Sequence, residues 1–463
     1  MSSSSTTIIA IETPSLGDRS YLVHDGTVAA VVDPQRDIDR VLDLAVAHGV
    51  QITHVFETHI HNDYVTGGFA LAEATGAAYL VNADDEVSFE RTPIRDGDVI
   101  EVSPTLRLRA IATPGHTFTH LSYAVESVDD AGTVTAVAAC TGGSLLFGST
   151  GRPDLLGHEH TDALVHHQFA SARRLATDLP DTADVLPTHG FGSFCSAGST
   201  GTVTASTVGQ EKQSNPALTL DESRWVAETL AGLDVYPAYY AHMGEANSAG
   251  PRAPDVDAPE VADKSVLAAR IAAGEWVVDL RTRTVFAAGH AAGTVNMGID
   301  GAFSTYVGWL LPWGTALTLL GESEEQVAGA QRELVRIGMD KIAGAAIGGP
   351  HDWSDAPPAS FERALFADLA QVRGHRRVSV LDVRRASEFR GEHIDGAVNI
   401  PIHEVLDRLE EVPPGEVWVH CAGGYRASVV ASILAARGRH VVAVDDDFGE
   451  HAASAGLPLA RAT

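Results

Sequence analysis

His59-Ile60-His61-Asn62-Asp63 sets two imidazoles two residues apart, with a carboxylate two residues further on. In an extended loop, that alternation aims several ligands at one point, and imidazole with carboxylate is a donor set for a divalent metal. Two more histidines stand in comparable settings. His116 lies in Thr113-Pro114-Gly115-His116-Thr117, after the apolar run Leu106 to Ala112, and His189 lies in Pro187-Thr188-His189-Gly190. Loops of this kind at successive strand ends are what a metal site between sheet edges requires. His59, His61 and His116 are candidate ligands, and three neutral imidazoles with open positions would be compatible with Fe(II). Asp63 and His189 are further candidates, and His120 is an outlying one. The alternative for His61 is a hydrogen bond behind the ligands, and for His120 a place in the core or on the surface.

A second reactive group stands near the C-terminus. Glu416-Val417-Trp418-Val419-His420 reads as a strand and Cys421-Ala422-Gly423-Gly424-Tyr425-Arg426 follows it. A helix is expected from about Tyr425 to Arg437, with Val429, Val430, Ile433 and Leu434 on one face and Gly438 as its stop. Cys421 would then sit at a helix N-terminus, where amides and the helix dipole favour a thiolate. Arg426 adds positive charge. The glycines let the loop curl so that successive N–H groups face the sulfur. Such a loop suits a cysteine that carries a terminal sulfur anion. Cys195, six residues after His189, is a candidate for the lining of the metal cleft, with an inert buried thiol as its alternative. Arg152 is a candidate for holding the anionic part of a small thiol, or for pairing with Asp154. Cys140 is expected in the core.

These groups need strands and tight turns to place them. The apolar runs Ala29 to Asp33, Ile52 to Phe56, Ala78 to Val81 and Leu106 to Ala112 supply strands in a first segment of about residues 8–245. Asn247 to Pro259 reads as a linker. A second segment opens with a helix from Lys264 to Ala273 and the strand Trp276 to Arg281. A third opens with a helix from Phe361 to Val372 and the strand Val378 to Arg384. Both continue alike, as Phe286-Ala287-Ala288-Gly289-His290 through Asn296 and as Phe389-Arg390-Gly391-Glu392-His393 through Asn399. That is an internal repeat of about 100 residues. Alternating strands and helices in each copy imply parallel-sheet α/β units.

With 463 residues, the chain is expected to form two or three domains. No run is long enough and apolar enough for a membrane span. Met1 to Thr7 lacks a basic start and an apolar core, so no secretory signal is expected there. A net charge of −29 argues against nucleic-acid and anionic-membrane partners. Three cysteines make no disulfide framework, and a reducing cytoplasm is the expected setting.

Residues 58–63, 113–117, 148–155 and 187–189 together resemble the metallo-β-lactamase fold, and within it the persulfide dioxygenases, mononuclear iron enzymes. The resemblance covers most of residues 8–245. It implies an αββα sandwich with His59 and His116 on iron. The family's third ligand is an Asp after Thr-Gly, and Gly143 stands there. Dinuclear hydrolases of this fold end the first motif with His, and Tyr64 stands there, which weighs against thioester hydrolysis. Val378 to Leu457 resembles a rhodanese domain with Cys421 as the sulfur-accepting nucleophile. The second segment resembles a rhodanese without its cysteine, since Gly321-Glu322-Ser323-Glu324-Glu325 occupies the loop. Tyr306, Trp309 and Trp313 are candidates for packing that domain against its neighbours, or for its core.

The expectation is an α/β multidomain chain: residues 1–246 as the metallo-β-lactamase-like sandwich, 262–350 as a silent rhodanese-like domain, and 360–463 as the rhodanese domain bearing Cys421. The resemblance implies oxidation of a thiol persulfide to sulfite at Fe(II), with Zn as the other metal considered. Cys421 would pass sulfane sulfur to sulfite, giving thiosulfate. The expected partners are a small thiol persulfide, sulfite or thiosulfate, and further copies of the chain in a homo-oligomer. The alternatives are a binding module that has lost its metal, leaving only sulfur transfer at Cys421, and a metal-dependent thioester hydrolase.

Overall fold

A computed structural model describes residues 6–198 and 203–461. The chain divides into two compact units. The first takes residues up to Asp255 together with Val335–Gly338, and the second takes Val256–Leu334 and the residues from Met339 onward.

The first unit holds two six-stranded sheets. One runs in chain order through Thr7–Thr13, Asp18–His24, Val28–Val32, Gln51–Phe56, Ala78–Asn82 and Thr92–Ile94. The other runs Ser206–Thr207, Asp184–Pro187, Val134–Gly142, Leu121–Val128, Leu106–Ala112 and Val99–Ser103. The period of two in a strand sorts their side chains into layers. Ala30 and Val32 turn toward the space between the sheets, where they meet Phe56, Leu80, Leu106, Leu108 and Tyr123. Ala29 and Val31 turn the other way, against Val41, Ala45 and Leu71 of the helices Asp39–His48 and Gly68–Thr75. Beyond the second sheet, Ile111, Ala124 and Ala139 pack under Val165, Phe169 and Leu175 of the helix His158–Asp178. Each large side chain so buried contributes about 1.5–3 kcal/mol. The result is a helix–sheet–sheet–helix sandwich.

Strand direction places the loops that matter. Gln51–Phe56 lies parallel to Val28–Val32 and to Ala78–Asn82. The chain therefore leaves both Val32 and Phe56 at the same edge. Val134–Gly142 and Asp184–Pro187 are likewise parallel, so Gly143 and Thr188 start side by side.

The second unit contains two all-parallel sheets. Four strands run Val295–Asn296, Trp276–Asp279, Leu317–Gly321, Ile342–Ile347. Five run Glu362–Ala364, Val441–Val444, Val417–His420, Ser379–Asp382, Val398–Asn399. Apart from the added edge strand, the spatial order is the same. The repeat extends to individual hydrogen bonds. Arg281 pairs with Asp279 and donates to the Gly289 carbonyl, as Arg384 pairs with Asp382 and donates to that of Glu392. Asn296 donates to the carbonyls of Asp279 and Arg281, as Asn399 does to those of Asp382 and Arg384. His290 stacks on Phe286 at 3.9 Å, and His393 on Phe389 at 3.8 Å.

Two sequence expectations need correction. The helix foreseen from Phe361 begins only at Phe366 and runs to His375. Glu362–Ala364 instead pair in parallel with Val442–Val444, because an open sheet edge offers that backbone ladder bonds, and the Asp368 carboxylate accepts from the Leu365 N–H at the new helix start. Asn247, assigned to a linker, lies in the helix Tyr240–Ser248 and is buried. Among the described residues, no helix is long and apolar enough to cross a membrane.

Candidate functional site

The loops leaving the sandwich edge are gathered around Asp33. Its φ of 52° is left-handed, and it is the single non-glycine with positive φ among the described residues. That turn lets its carboxylate accept from the Thr58 N–H at 2.7 Å, the Thr58 hydroxyl at 2.8 Å and the Thr188 hydroxyl. Its Oδ1 also lies 3.2 Å from His61 Nε2, with Glu57 Oε2 at the same distance from that nitrogen. One side chain therefore ties together loops from both sheets.

Five histidines meet at this edge, all at 1% exposure or less. The His59 ring centre lies 4.1 Å from that of His61, 4.8 Å from His116, 4.9 Å from His120 and 5.3 Å from His189. Three of them share a pattern. His59 Nδ1 is 2.8 Å from the Thr58 hydroxyl, His116 Nδ1 is 2.8 Å from the Arg152 carbonyl, and His189 Nδ1 is 3.0 Å from both Asp18 and Asp63. Each Nδ1 faces an oxygen acceptor, which leaves Nε2 to point inward. His61 is turned the other way, with Nε2 on the carboxylates and on Tyr64 Oη at 3.0 Å, and Nδ1 left over. His120 uses both nitrogens, on the Thr113 hydroxyl at 2.9 Å and on the Gly143 N–H at 3.0 Å. It therefore has none to offer a metal.

Electrostatics divide the cluster. Burial, reinforced by the neighbouring imidazoles, holds His59 far below the usual histidine range, and burial with His189 beside it brings His116 down to about 3. Burial works against charge on His61 and His189 as well, but Asp33 and Glu57 outweigh it and raise His61 to about 9. Asp63 and Asp18 likewise raise His189 to about 10. Burial and the charge of Asp63 lift Asp18 to about 7. The neutral pair His59 and His116 is in the protonation state that ligands need.

The donor set fits a divalent ion. His116 Nε2 and His61 Nδ1 are buried without a hydrogen-bond partner. His59 Nε2 and His189 Nε2 stand 3.4 Å apart. A tetrahedral ion with metal–nitrogen bonds of about 2.1 Å holds its nitrogens about 3.4 Å apart. Ligand atoms of His59, His61 and His189 lie within 4.8 Å of one another, as do those of His116, His189 and Cys195. The ligand atoms that converge are those of His59, His61 and His189 on one side and of His116, His189 and Cys195 on the other, with His189 common to both.

Gly143 is where the sequence leaves a ligand out. A Cβ there would lie 2.3 Å from His116 Cδ2, so the imidazole fills the space a side chain would need. Tyr64 donates to the Asp33 carbonyl at 3.2 Å besides touching His61. Asp63 is held at His189 and Ser193. Arg152, at 3% exposure, is committed within the chain. Its guanidinium binds Asp154 through two bonds of 2.6 and 2.7 Å, donates to the Phe194 and Asp234 carbonyls, and lies over Tyr236. It positions loops and presents no open donor face to an anion. Cys140 is core, as expected.

Sequence reasoning missed the residues that orient the ligands. Asp33 carried a signal, a carboxylate directly after a buried strand. Glu57, directly after Phe56, carried the same signal, whereas Asp18 and Asn247 carried none. Asn247 Nδ2 donates to the carbonyls of His61 and Tyr64, both at 2.8 Å, and its Oδ1 accepts from Thr66 N–H at 2.9 Å. It clips the histidine loop from behind.

In the second unit, Cys421 follows the strand Val417–His420 and precedes the helix Tyr425–Ala436. Its Sγ accepts from the Gly424 N–H at 3.1 Å. Gly424 has a φ of 90°, and a Cβ there would lie 2.0 Å from Asp445 Oδ1, so only glycine serves. Arg426 closes the loop with bonds of 2.7 and 2.9 Å to the two Glu388 oxygens. Burial opposes ionisation of Glu388, but Arg426 and Arg385 outweigh it and hold its carboxyl at about 2. Tyr425 donates from Oη to the Gly298 carbonyl at 2.9 Å, and its ring lies 5.6 Å from that of Tyr306. Trp309 stacks on His403 at 5.0 Å, whereas Trp313 is 38% exposed.

Comparison with known proteins agrees with both halves. Residues 365–453 match the model of the rhodanese-like domain. A hydroxyacylglutathione hydrolase of Polaromonas sp. is 30% identical over 165 residues, which are 35% of this chain and 57% of that protein. That of Acidiphilium cryptum is 33% identical over 172 residues, 36% of this chain and 63% of its own. The chain thus spans only about three-fifths of each of these relatives. The crystal structure of a metallo-β-lactamase from Staphylococcus aureus superposes with a TM-score of 0.66 at 27% identity, covering 74% of this chain and 99% of that one. The chain is a fusion of a metallo-β-lactamase-fold domain with a C-terminal rhodanese-like domain.

Proposed function

We propose that this chain is a sulfur-handling enzyme, oxidising a thiol persulfide at a single metal ion in the first unit and moving sulfane sulfur through Cys421 in the second. The net oxidation is R–S–SH with O₂ and water giving R–SH, sulfite and two protons. A ferrous ion, when bound, would supply the activation of O₂ beside the terminal sulfur. The chain's own residues hold His59 and His116 in the tautomer that presents Nε2, through Thr58 and the Arg152 carbonyl, and the Asp18–Asp63 pair orients His189 through Nδ1 so that an ion would displace its Nε2 proton. In the second unit, Cys421 sulfur attacks the outer sulfur of a donor persulfide, and the donor thiolate leaves. Sulfite then takes that sulfur and restores the Cys421 thiolate, giving thiosulfate. The amide of Gly424 and the start of the helix at Tyr425 offset the negative charge carried on either sulfur.

The observation that carries the reading is the Gly424 amide on Cys421 Sγ, in a six-residue loop closed by the Arg426–Glu388 pair. The strands that repeat between residues 262–350 and 360–463 support a second rhodanese-like domain in the former. Its acidic Glu322-Ser323-Glu324-Glu325 stands where the cysteine loop would be. That copy serves as scaffold, with Tyr306 and the Gly298 carbonyl set against Tyr425. The hydrolase relatives suggest thioester cleavage as the second reading. Against it, Tyr64 fills a position that a second metal would require, with its hydroxyl already on His61 and the Asp33 carbonyl. Metal analysis joined to an oxygen electrode tests the proposal. Near one iron per chain, with O₂ uptake and sulfite release on adding glutathione persulfide, is expected. Hydrolysis of S-lactoylglutathione without O₂ uptake would replace it with the second reading. Thiosulfate:cyanide sulfur transfer should disappear in Cys421→Ser.

A further inference from the structure

The fold leaves one charge unaccounted for. A divalent ion held by neutral imidazoles alone keeps its full double charge in a buried site, which costs solvation energy. Gly143 offers no carboxylate, and the His116 ring excludes one from that side, since a Cβ on Gly143 would meet it at 2.3 Å. Asp63 and Asp18 are engaged by His189 Nδ1. Asp33 and Glu57 are likewise engaged by His61 Nε2, which leaves the thiol of Cys195, itself hydrogen-bonded to Asp63, as the anionic donor beside His116. Cys195 is wholly buried, and its ligand atom lies within 4.8 Å of those of His116 and His189. Its place is built. The Cys195 carbonyl accepts from the Arg152 N–H at 2.8 Å, and the Arg152 carbonyl in turn receives His116 Nδ1. The Cys195 N–H donates to the Ser193 hydroxyl at 3.2 Å. Backbone links thus fix sulfur and imidazole relative to each other. His116 Nε2, buried and without a partner, is the independent sign that something belongs there.

We infer that Cys195 is a metal ligand, its sulfur replacing the carboxylate that Gly143 lacks, beside His116 and His189. The inference rests on the metal reading proposed above and adds the identity of the anionic donor. On binding, the thiol proton leaves to solvent and the sulfur forms the bond to the ion, so the site loses one unit of charge. A soft thiolate shifts the preference from hard-ligand metals such as Mg²⁺ or Mn²⁺ toward Zn²⁺, Co²⁺ and Fe²⁺.

The test uses the full-length protein carrying Cys421→Ser, so that the other reactive thiol cannot report. Co²⁺ is titrated into metal-free protein and absorbance is read in the near ultraviolet, where thiolate-to-cobalt charge transfer appears and imidazole ligation gives no intense band. One Co²⁺ per chain with that band, and loss of the band in a Cys195→Ser derivative that still takes up cobalt, is expected. Cobalt uptake without the band, or a band that persists after Cys195→Ser, overturns the inference while leaving the metal site standing. Absence of any uptake overturns both. If Cys195→Ser does not fold, X-ray absorption of the Zn²⁺-loaded Cys421→Ser protein decides. A sulfur shell near about 2.3 Å beside nitrogen at about 2.0–2.1 Å supports the assignment, and nitrogen and oxygen alone refutes it.

Discussion

Asn247→Ala tests whether the histidine loop is held from behind. The amide is 1% exposed and satisfies three main-chain groups, the carbonyls of His61 and Tyr64 and the N–H of Thr66. Alanine reaches none of them. A buried backbone group left unpaired costs about 1–3 kcal/mol, and water entering the vacated space recovers part of that for polar groups so close together. A net loss of about 3 kcal/mol follows for the first unit, or a fall in Tm of roughly 6–12 °C for a domain of this size. The second unit should be unaffected, so calorimetry is expected to split one transition away from the other. Because the freed segment carries His59 and His61, metal affinity should fall about 10- to 100-fold, the usual effect of losing a residue that orients ligands. Asn247→Asp is the sharper variant. It keeps an acceptor for Thr66 but sets a carboxylate against two carbonyl oxygens, so it should destabilise at least as much as alanine. A Tm within about 2 °C of the parent for both variants, with unchanged metal affinity, would refute the clip.

Three other outcomes follow from the same geometry. Gly143→Asp should weaken metal binding rather than restore it, because its Cβ displaces His116, and isothermal titration with Zn²⁺ measures this. Gly424→Ala forces a φ of 90° on a residue with a Cβ and drives that atom into Asp445. Sulfur transfer in a thiosulfate:cyanide assay should drop by at least about 100-fold while the metal content stays at the parental value. Glu388 has its carboxyl held down to about 2 from an ordinary 4.5, so its pairing stabilises the second unit fully above pH 4.5 and is lost as pH falls toward 2. After allowance for solvent screening this amounts to about 1–2 kcal/mol. Thermal scans from pH 6 to pH 2.5 should therefore show a smaller acid-induced loss for Glu388→Gln than for the parent.

What the sequence reveals about these sites depends on whether a contact is local. His59, His61, His116 and Cys421 announce themselves because each follows a strand whose apolar pattern is readable and whose end must point the next residues at one edge. The Phe286–His290 and Phe389–His393 stacks were visible as a repeat, since one helical turn brings each pair together. Arg152 is open to two readings from sequence, an anion holder or a partner of Asp154, and the structure gives its guanidinium to Asp154, two residues away. What stayed hidden is the set of long-range partners. Asp18 reaches His189 across 171 positions, and Asn247 reaches His61 across 186. Nothing in the local composition around either residue distinguishes it from an ordinary surface polar group. The helix start at Phe366 was hidden for the same reason, because the strand before it exists only where Val442–Val444 offer an edge.

The two units handle negative charge in opposite ways, and each choice bears on what its candidate site can do. Around Cys421 the charge is met by main-chain dipoles, with a fixed cation held nearby by Glu388. Dipoles of this kind do not titrate, so they stabilise the bare sulfur and its persulfide alike and suit a group that alternates between the two. Around His59 the arrangement is reversed. Carboxylates stand behind His61 and His189, and His116 Nε2 is buried without a hydrogen-bond partner. A bound ion would give that nitrogen the partner it lacks and would take over the positive charge that His61 and His189 otherwise carry. For that reason the first unit's Tm should rise by several degrees on adding stoichiometric Fe²⁺ or Zn²⁺, while the second unit's transition stays where it was. Equal shifts in both transitions, or none, would mean that the buried imidazoles are a structural cluster and that the metal chemistry has been misplaced.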